Sequence, residues 1–192
     1  TNIWQVYRTG EVKRTLKVFW PFAVALAVVL WLFTGLSVHI PTTSLIFVLG
    51  CAVALFALTS LFVRPPELPP RFDRLAQIVA GSLSGVLGGL TAIWSPPMLI
   101  YFISRRLEKE DFVRASGLLL FVGSVPLLLG YWQNGLMTRE LGLMSLTMIV
   151  PTLLGFSVGE VVRRRVDAAR FQKLILFFFL LMGLNLIRRS FL

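Results

Sequence analysis

Charged residues, cysteine and histidine are all scarce in this chain. Only 15% of its 192 residues are charged, against about a quarter in a typical soluble domain. A single cysteine, Cys51, excludes a disulfide framework. A single histidine, His39, has no second ligand near it in the sequence, so neither a metal site nor a haem site is expected. The composition therefore predicts no cofactor.

Apolar residues make up 56% of the chain, and the mean hydropathy is +0.80. Most of the apolar runs approach the roughly 20 residues that a helix needs to cross a bilayer. None shows the alternation of a membrane β-strand. We therefore predict an all-α polytopic membrane protein with the lipid bilayer as its main partner. The six runs are Leu16–Val38, Leu45–Val63, Ala76–Ile103, Ala115–Trp132, Leu141–Gly159 and Phe171–Ile187.

The net charge of +10 comes from 19 Lys and Arg against 9 Asp and Glu. Such an excess could indicate nucleic-acid binding, but basic residues also collect in the cytoplasmic loops of membrane proteins. We expect no nucleic-acid partner. The cluster of arginines at 163–165 is interpreted as a topology anchor, and the opening "TNIWQVYRTGEVKRTLK" resembles an interior loop, so further sequence is expected upstream.

The distribution of basic residues predicts that the third run does not cross the membrane. If it crosses, the 19 basic residues divide 10 inside and 9 outside; if it enters and leaves on the cytoplasmic side, only Arg139, Arg188 and Arg189 lie outside, a division of 16 to 3. A straight helix of 28 residues would also measure about 42 Å, against a core of about 30 Å. We therefore predict a re-entrant helical hairpin over 76–103 and five membrane-crossing helices.

The motif "GGLTAIWSPP" lies where this hairpin turns. Ser is a preferred N-cap, and Pro fits the first turn of a helix. A helix that begins inside the membrane presents a partial positive charge, and transporters hold substrates at such breaks. The alternative is a simple kink, since proline is tolerated in membrane helices. The predicted substrate-binding residues are Gly88, Gly89, Thr91, Trp94, Ser95, Pro96, Pro97 and Tyr101.

Each of these residues has an expected role. Thr91 and Ser95 would donate hydrogen bonds to a small anion, Gly88 and Gly89 would let it approach the backbone, and the prolines would define the start of the second helix. Gly81, Gly85 and Gly89 also recur every fourth residue, which is typical of close helix packing. Three further polar residues lie at depth, and we expect them to form helix-to-helix hydrogen bonds; they are Ser116, Ser124 and Asn185.

The same segment resembles the TauE/SafE family, a group of membrane proteins linked to export of sulfite and organosulfonates. The resemblance is supported by "TNIWQ", "GSLSGVLGGLTAIWSPPMLIY", "EDFVRA", "MIVPTLLGFSVGE" and "FQKLILFFFLLMGLNLI". It implies two homologous, inverted halves: residues 1–74 would hold a cytoplasmic loop and the last two helices of the first repeat, and residues 75–192 the complete second repeat. In "AIWSPP", Trp94 and Ser95 stand where the family often has a glycine pair, which would narrow the cavity and add donors.

The resemblance implies an exporter of a small anion in a bacterial inner membrane, not an enzyme. An alternative is a non-transporting membrane subunit that assists a sulfur-metabolism complex. An intramembrane enzyme ranks last, because the chain has no histidine pair and no nucleophile and base at a usable spacing. A homo-oligomer is compatible with the sequence, which does not specify the anion or a coupling ion.

Overall fold

The computed structural model describes residues 12–62, 66–152, 154–155 and 168–191, and within these ranges the chain is helical with no strand. The predicted all-α class is confirmed. Residues 149–152 and 154–155 are helical as well. The expected N-terminal loop at 1–11 and the arginine cluster at 163–165 lie outside the described residues. The principal helices are α1 (Val12–Ser37), α2 (Thr42–Phe62), α3 (Asp73–Thr91), α4 (Ser95–Ser104), α5 (Lys109–Gln133), α6 (Arg139–Thr147) and α7 (Ala168–Arg189), with a short 3-10 turn at Pro70–Phe72 before α3.

Three helices in the described part of the chain are long and apolar enough to cross a membrane: Val12–Ser37, Thr42–Ser60 and Arg114–Gln133. They correspond to the first, second and fourth apolar runs. The third run is divided between α3 and α4, and the sixth lies in α7. The fifth run lies only partly within the described residues. Five crossings and an inverted repeat stay predictions.

Helix α1 packs along α3 in parallel, and glycines make the approach close. Gln77 Nε2 donates to the Val18 carbonyl at 3.1 Å, near the start of both helices. Two turns further along, a Cβ atom on Gly85 would lie 2.7 Å from Val29 Cβ, and near the end of α3 one on Gly89 would lie 2.6 Å from Phe33 Cβ. The predicted packing role of the four-residue glycine spacing is thus visible in the structure.

Helix α5 lies against α1 and also runs parallel to it. Near the C-terminal ends, a Cβ atom on Gly130 would meet Thr34 Cγ2 at 2.7 Å, and Trp31 Nε1 donates to Gln133 Oε1 at 3.1 Å. Near the N-terminal ends, Arg14 and Asp111 line the same cavity. Helix α1 is therefore enclosed between α3 and α5, and it supplies much of the buried core. The core side chains exposed by 2% or less are Phe22, Leu26, Leu30, Met98, Phe102 and Leu119.

Helices α2 and α7 form a second close pair, which is antiparallel. A Cβ atom on Gly50 would lie 2.9 Å from the Gly183 carbonyl oxygen, and one on Gly183 would lie 2.8 Å from the Ala54 backbone nitrogen. The rings of Phe47 and Phe191 meet edge to face at 5.7 Å, near the start of α2 and the end of α7. Small residues again remove the side chains that would hold the backbones apart.

These directions gather basic residues at one end of the bundle. The N-terminal ends of α1, α3 and α5 lie together, whereas α7 ends at the opposite end, beside the start of α2. Arg139, Arg188 and Arg189 follow the far ends of α5 and α7. The described residues at the first end, named the basic end here, include Lys13, Arg14, Lys17, Arg71, Arg74, Arg105, Arg106, Lys109 and Arg114.

Candidate functional site

The third apolar run is interrupted by a three-residue turn between α3 and α4. Helix α3 ends at Thr91, and Ala92 adopts a left-handed conformation with a φ of 59° while its N–H donates to the Gly88 carbonyl at 2.8 Å. The Thr91 hydroxyl donates to the Leu87 carbonyl at 2.7 Å and accepts the Ile93 N–H at 3.3 Å. Thr91 therefore stabilises the turn, and its hydroxyl proton is already used.

Helix α4 returns the chain to the end of the bundle where α3 began. The Tyr101 hydroxyl donates to Asp73 Oδ1 at 2.8 Å, and Arg105 donates to the same hydroxyl at 3.0 Å. Arg105 Nε also lies 3.5 Å from Asp73 Oδ1. The Leu68 N–H donates to the Ser104 carbonyl at 2.9 Å. Tyr101, predicted to contact substrate, thus lies at the base of the hairpin and closes it.

Trp94 is the residue through which the turn contacts the rest of the bundle. Its side chain is only 8% exposed. A Cβ atom on Gly88 of α3 would lie 3.0 Å from Trp94 Cβ, and one on Gly123 of α5 would lie 3.0 Å from Trp94 Cε2 and 3.1 Å from Nε1. The indole fills a slot between two glycines. Its Nε1 is buried and has no hydrogen-bond partner among the described residues, which is unusual for a buried donor.

The start of α4 differs by one residue from the predicted N-cap. Trp94 occupies the N-cap position, Ser95 is the first helical residue, and no side chain caps the helix. Pro96 is buried and Pro97 is half-buried in the first turn. Because proline has no N–H, these two residues remove amide donors that a helix start normally offers. The donors that remain around the turn are the Ser95 N–H, the Ser95 hydroxyl and the Trp94 indole.

The two glycines predicted to admit an anion are already in contact with other side chains. A Cβ atom on Gly88 would meet Leu30 Cδ1 at 3.0 Å as well as Trp94, and one on Gly89 would lie 2.7 Å from the Leu30 carbonyl oxygen and 2.6 Å from Phe33 Cβ. Both residues are buried. In this structure they pack α3 against α1 and seat the indole.

The sequence matches the family described as "Sulfite exporter TauE/SafE" over residues 1–186. The chain belongs to the TauE/SafE family. The resemblance carried by "GGLTAIWSPP" and its neighbours is thereby confirmed. TauE/SafE is a transporter family, and together with the apolar helices the match identifies a multi-pass membrane protein. Comparison with curated proteins and with solved structures gives no match.

The polar residues that this TauE/SafE chain holds at depth do not pair between helices as predicted. Ser124 Oγ donates to the Leu120 carbonyl at 2.7 Å, and Asn185 Oδ1 accepts from Arg188 at 3.3 Å, so both bond within their own helices. Ser116 Oγ is buried with no partner in the described part of the chain. The expectation is wrong for Ser124 and Asn185 because the nearest acceptor or donor belongs to the same helix one turn away.

Two residues that matter at the turn of this TauE/SafE chain were missed from the sequence. Gly123 makes the slot for the indole, yet nothing in "FVGSVPLL" indicates which residue it faces. Ser84 is fully buried, and its Oγ has no partner among the described residues. A signal for Ser84 was available, because it lies one turn before Gly88 on the same face of α3.

Two cavities adjoin the hairpin. One, of about 260 Å³, lies between α3 and α4 and is mostly apolar; it is lined by residues that include Ala80, Leu83, Pro97, Ile100 and Tyr101. The other, of about 170 Å³, lies at the basic end and includes Arg14, Thr15, Phe19, Arg105 and Asp111. No three His, Cys, Asp or Glu side chains in the described ranges are placed to share a metal ion.

Proposed function

We propose that this TauE/SafE chain exports a small anion, such as sulfite or an organosulfonate, which binds at the turn between α3 and α4. The observation that carries the proposal is a helix that begins inside the bundle, at Ser95, beside the buried and unpartnered indole N–H of Trp94. A helix start bears about half a positive charge, which favours an anion. The family match supports transport as the activity.

The depth of the turn suits such a site. Helix α4 has 10 residues and is about 15 Å long, which is half of a hydrocarbon core of about 30 Å. Its far end is tied to the start of α3 through Tyr101 and Asp73. If that base lies at the membrane surface, Ser95 lies near the midplane, where transporters commonly hold their substrates at broken helices.

The orientation follows from the basic end, which we assign to the cytoplasm. On this assignment α3 and α4 form a re-entrant hairpin, α5 and α7 cross outward, and the remaining crossing leads back between them. Five crossings and one hairpin would make this chain the end of one repeat and the whole of an inverted second repeat. The membrane would be the inner membrane of a bacterium.

The membrane potential alone could drive export. All nine acidic residues lie in loops or at the ends of apolar runs, whereas carriers driven by protons usually keep an ionisable group at depth. An inside-negative potential favours expulsion of an anion by about 2.3 kcal/mol per charge per 100 mV. We therefore propose uniport, with access alternating as the two halves of the protein rock against each other.

Flux through proteoliposomes tests the proposal. Purified protein in vesicles loaded with ³⁵S-sulfite is expected to release the label with saturable kinetics, and Ser95→Ala combined with Pro97→Leu should lower the rate about tenfold, since a hydrogen bond to a charged ligand and the fixed helix start are both lost. Ser145→Ala is the control, because that hydroxyl is exposed and bonds to its own helix at Leu141.

A lack of saturable flux for sulfite, sulfate and methanesulfonate alike would contradict the carrier function. It would leave the alternative of a non-transporting membrane subunit, for which the double variant should behave as the parent protein does. Equal flux from the parent and the double variant would instead place the binding site away from the turn.

A further inference from the structure

Buried serines on α3 and α5 differ from the other hydroxyl residues of the described helices. Thr34, Ser124 and Ser145 each donate to a carbonyl one turn earlier in their own helix, at 2.7 Å. Ser84 and Ser116 do not. Both oxygens are buried, and neither has a hydrogen-bond partner among the described residues. Since buried polar atoms are normally satisfied, these two hydroxyls are available to a ligand.

The helix spacing places both hydroxyls on the faces that meet Trp94. Ser84 lies four residues before Gly88, and Ser116 lies seven residues before Gly123; these two glycines hold the indole between them. Residues four or seven apart share one face of a helix. Because α3 and α5 both run parallel to α1, Ser84 lies about 6 Å and Ser116 about 10 Å closer to the basic end than the glycine of its own helix.

We infer that Ser84 Oγ, Trp94 Nε1 and Ser116 Oγ form one row of hydrogen-bond donors, named the donor seam, which binds a small oxyanion on the basic side of the turn. This inference rests on the proposed function and extends its site from α4 to the facing surfaces of α3 and α5. The seam takes the place of the amides that Pro96 and Pro97 lack, and the anion is held mainly by side chains.

The chemistry of the donor seam favours an oxyanion over a cation. An indole N–H only donates, and a serine hydroxyl without a carbonyl partner is free to donate as well. Gln77 lies two turns before Ser84 on α3, but its amide group already donates to Val18 and Asp73, so it adds no donor. Its unpartnered oxygen is an acceptor, which disfavours an anion and marks the end of the seam.

Titration of the indole resonances tests the seam directly. Protein labelled with ¹⁵N at its five tryptophans gives an N–H resonance for each, and the one missing from Trp94→Phe is assigned to Trp94. Sulfite is expected to shift that resonance. Ser84→Ala and Ser116→Ala should each weaken the apparent sulfite affinity about tenfold, the usual effect of losing one hydrogen bond to a charged ligand.

Ser124→Ala serves as the matched control, because it removes a hydroxyl from α5 that is exposed and already bonded to Leu120; its affinity should equal that of the parent. Size-exclusion profiles and thermal unfolding report whether each variant is folded. If Trp94→Phe does not fold, substitution of the other four tryptophans identifies the Trp94 resonance by elimination, and the two serine variants still decide the result.

The two proposals fail in different ways. If the parent protein binds none of sulfite, sulfate and methanesulfonate, the proposed function is wrong, and the donor seam is wrong with it. If the parent binds sulfite, and Ser84→Ala and Ser116→Ala bind it as tightly as Ser124→Ala while Ser95→Ala does not, the anion sits at the start of α4 alone. That second result overturns the seam and leaves the exporter function standing.

Discussion

Glycines Gly81, Gly85 and Gly89 derive their importance from what lies opposite them on α1. The position for a Cβ atom is already occupied at each, by backbone at Gly81 and by both backbone and side chain at the other two. At Gly35 on α1, by contrast, an added Cβ would meet no heavy atom within 4 Å. The same residue type therefore has opposite tolerance to substitution at two places in adjacent helices.

We expect Gly85→Ala to lower the free energy of unfolding by about 1–3 kcal/mol, the usual cost of overpacking a tight contact. The added methyl would lie 2.7 Å from Val29 Cβ and 2.9 Å from the Leu30 backbone nitrogen, neither of which can move freely. Gly35→Ala should be neutral or stabilising by up to about 1 kcal/mol, because alanine favours a helix over glycine. Denaturant titration in micelles measures both; equal stability of the two variants would contradict the prediction.

The hairpin of α3 and α4 is held at its base by polar contacts and at its turn by packing. At the base, Asp73 receives both the Tyr101 hydroxyl and the Arg105 guanidinium. The guanidinium also lies 5.1 Å from the centre of the Phe19 ring, which joins the base to α1. An element of only 10 residues has little stability by itself, so these contacts keep α4 in place.

Tyr101→Phe should loosen α4 without unfolding the bundle. Loss of this hydrogen bond is expected to cost about 1 kcal/mol and to speed amide hydrogen exchange over residues 95–105. Tyr131→Phe is the matched control, because the Tyr131 hydroxyl has no hydrogen-bond partner in the described ranges and its removal should leave exchange unchanged. If exchange in α4 is as slow in Tyr101→Phe as in the parent, packing alone holds the hairpin.

At the scale of the whole molecule, the parallel course of α1, α3 and α5 decides which loops share a side. The loop that follows α4 and the start of α1 lie together at the basic end, as Arg14 and Arg105 lining one cavity demonstrate. His39 follows the opposite end of α1. This separation depends on contacts between helices far apart in the sequence, and it agrees with the division of charge expected from the positive-inside rule.

Cysteine labelling tests that separation in a Cys51→Ala background, which removes the chain's single native cysteine. A membrane-impermeant maleimide should label Glu108→Cys only from the cytoplasmic side and His39→Cys only from the outside, since both positions are exposed and lie at opposite ends of the bundle. Labelling of both residues from the same side would show that α3 crosses the membrane instead of turning back.

Several features of this protein follow from the sequence alone because their causes are local. Long apolar runs without alternation determine an all-α membrane fold. The pair Pro96 and Pro97 interrupts the third run because neither residue has an N–H for a continuing helix. Glycines every fourth residue predict a close approach of backbones, and the motifs around the turn are specific enough to identify the family.

Only the tertiary structure decides which groups at the turn are free to bind. Thr91 was predicted as a donor, but its proton is taken by Leu87; Trp94 keeps an unpartnered N–H because Gly123, from a separate helix, faces it. Tyr101 closes the hairpin because Asp73, 28 residues earlier, lies within hydrogen-bond distance. Hydrogen bonding and packing depend on neighbours in space, and a linear pattern does not specify which distant residues will meet.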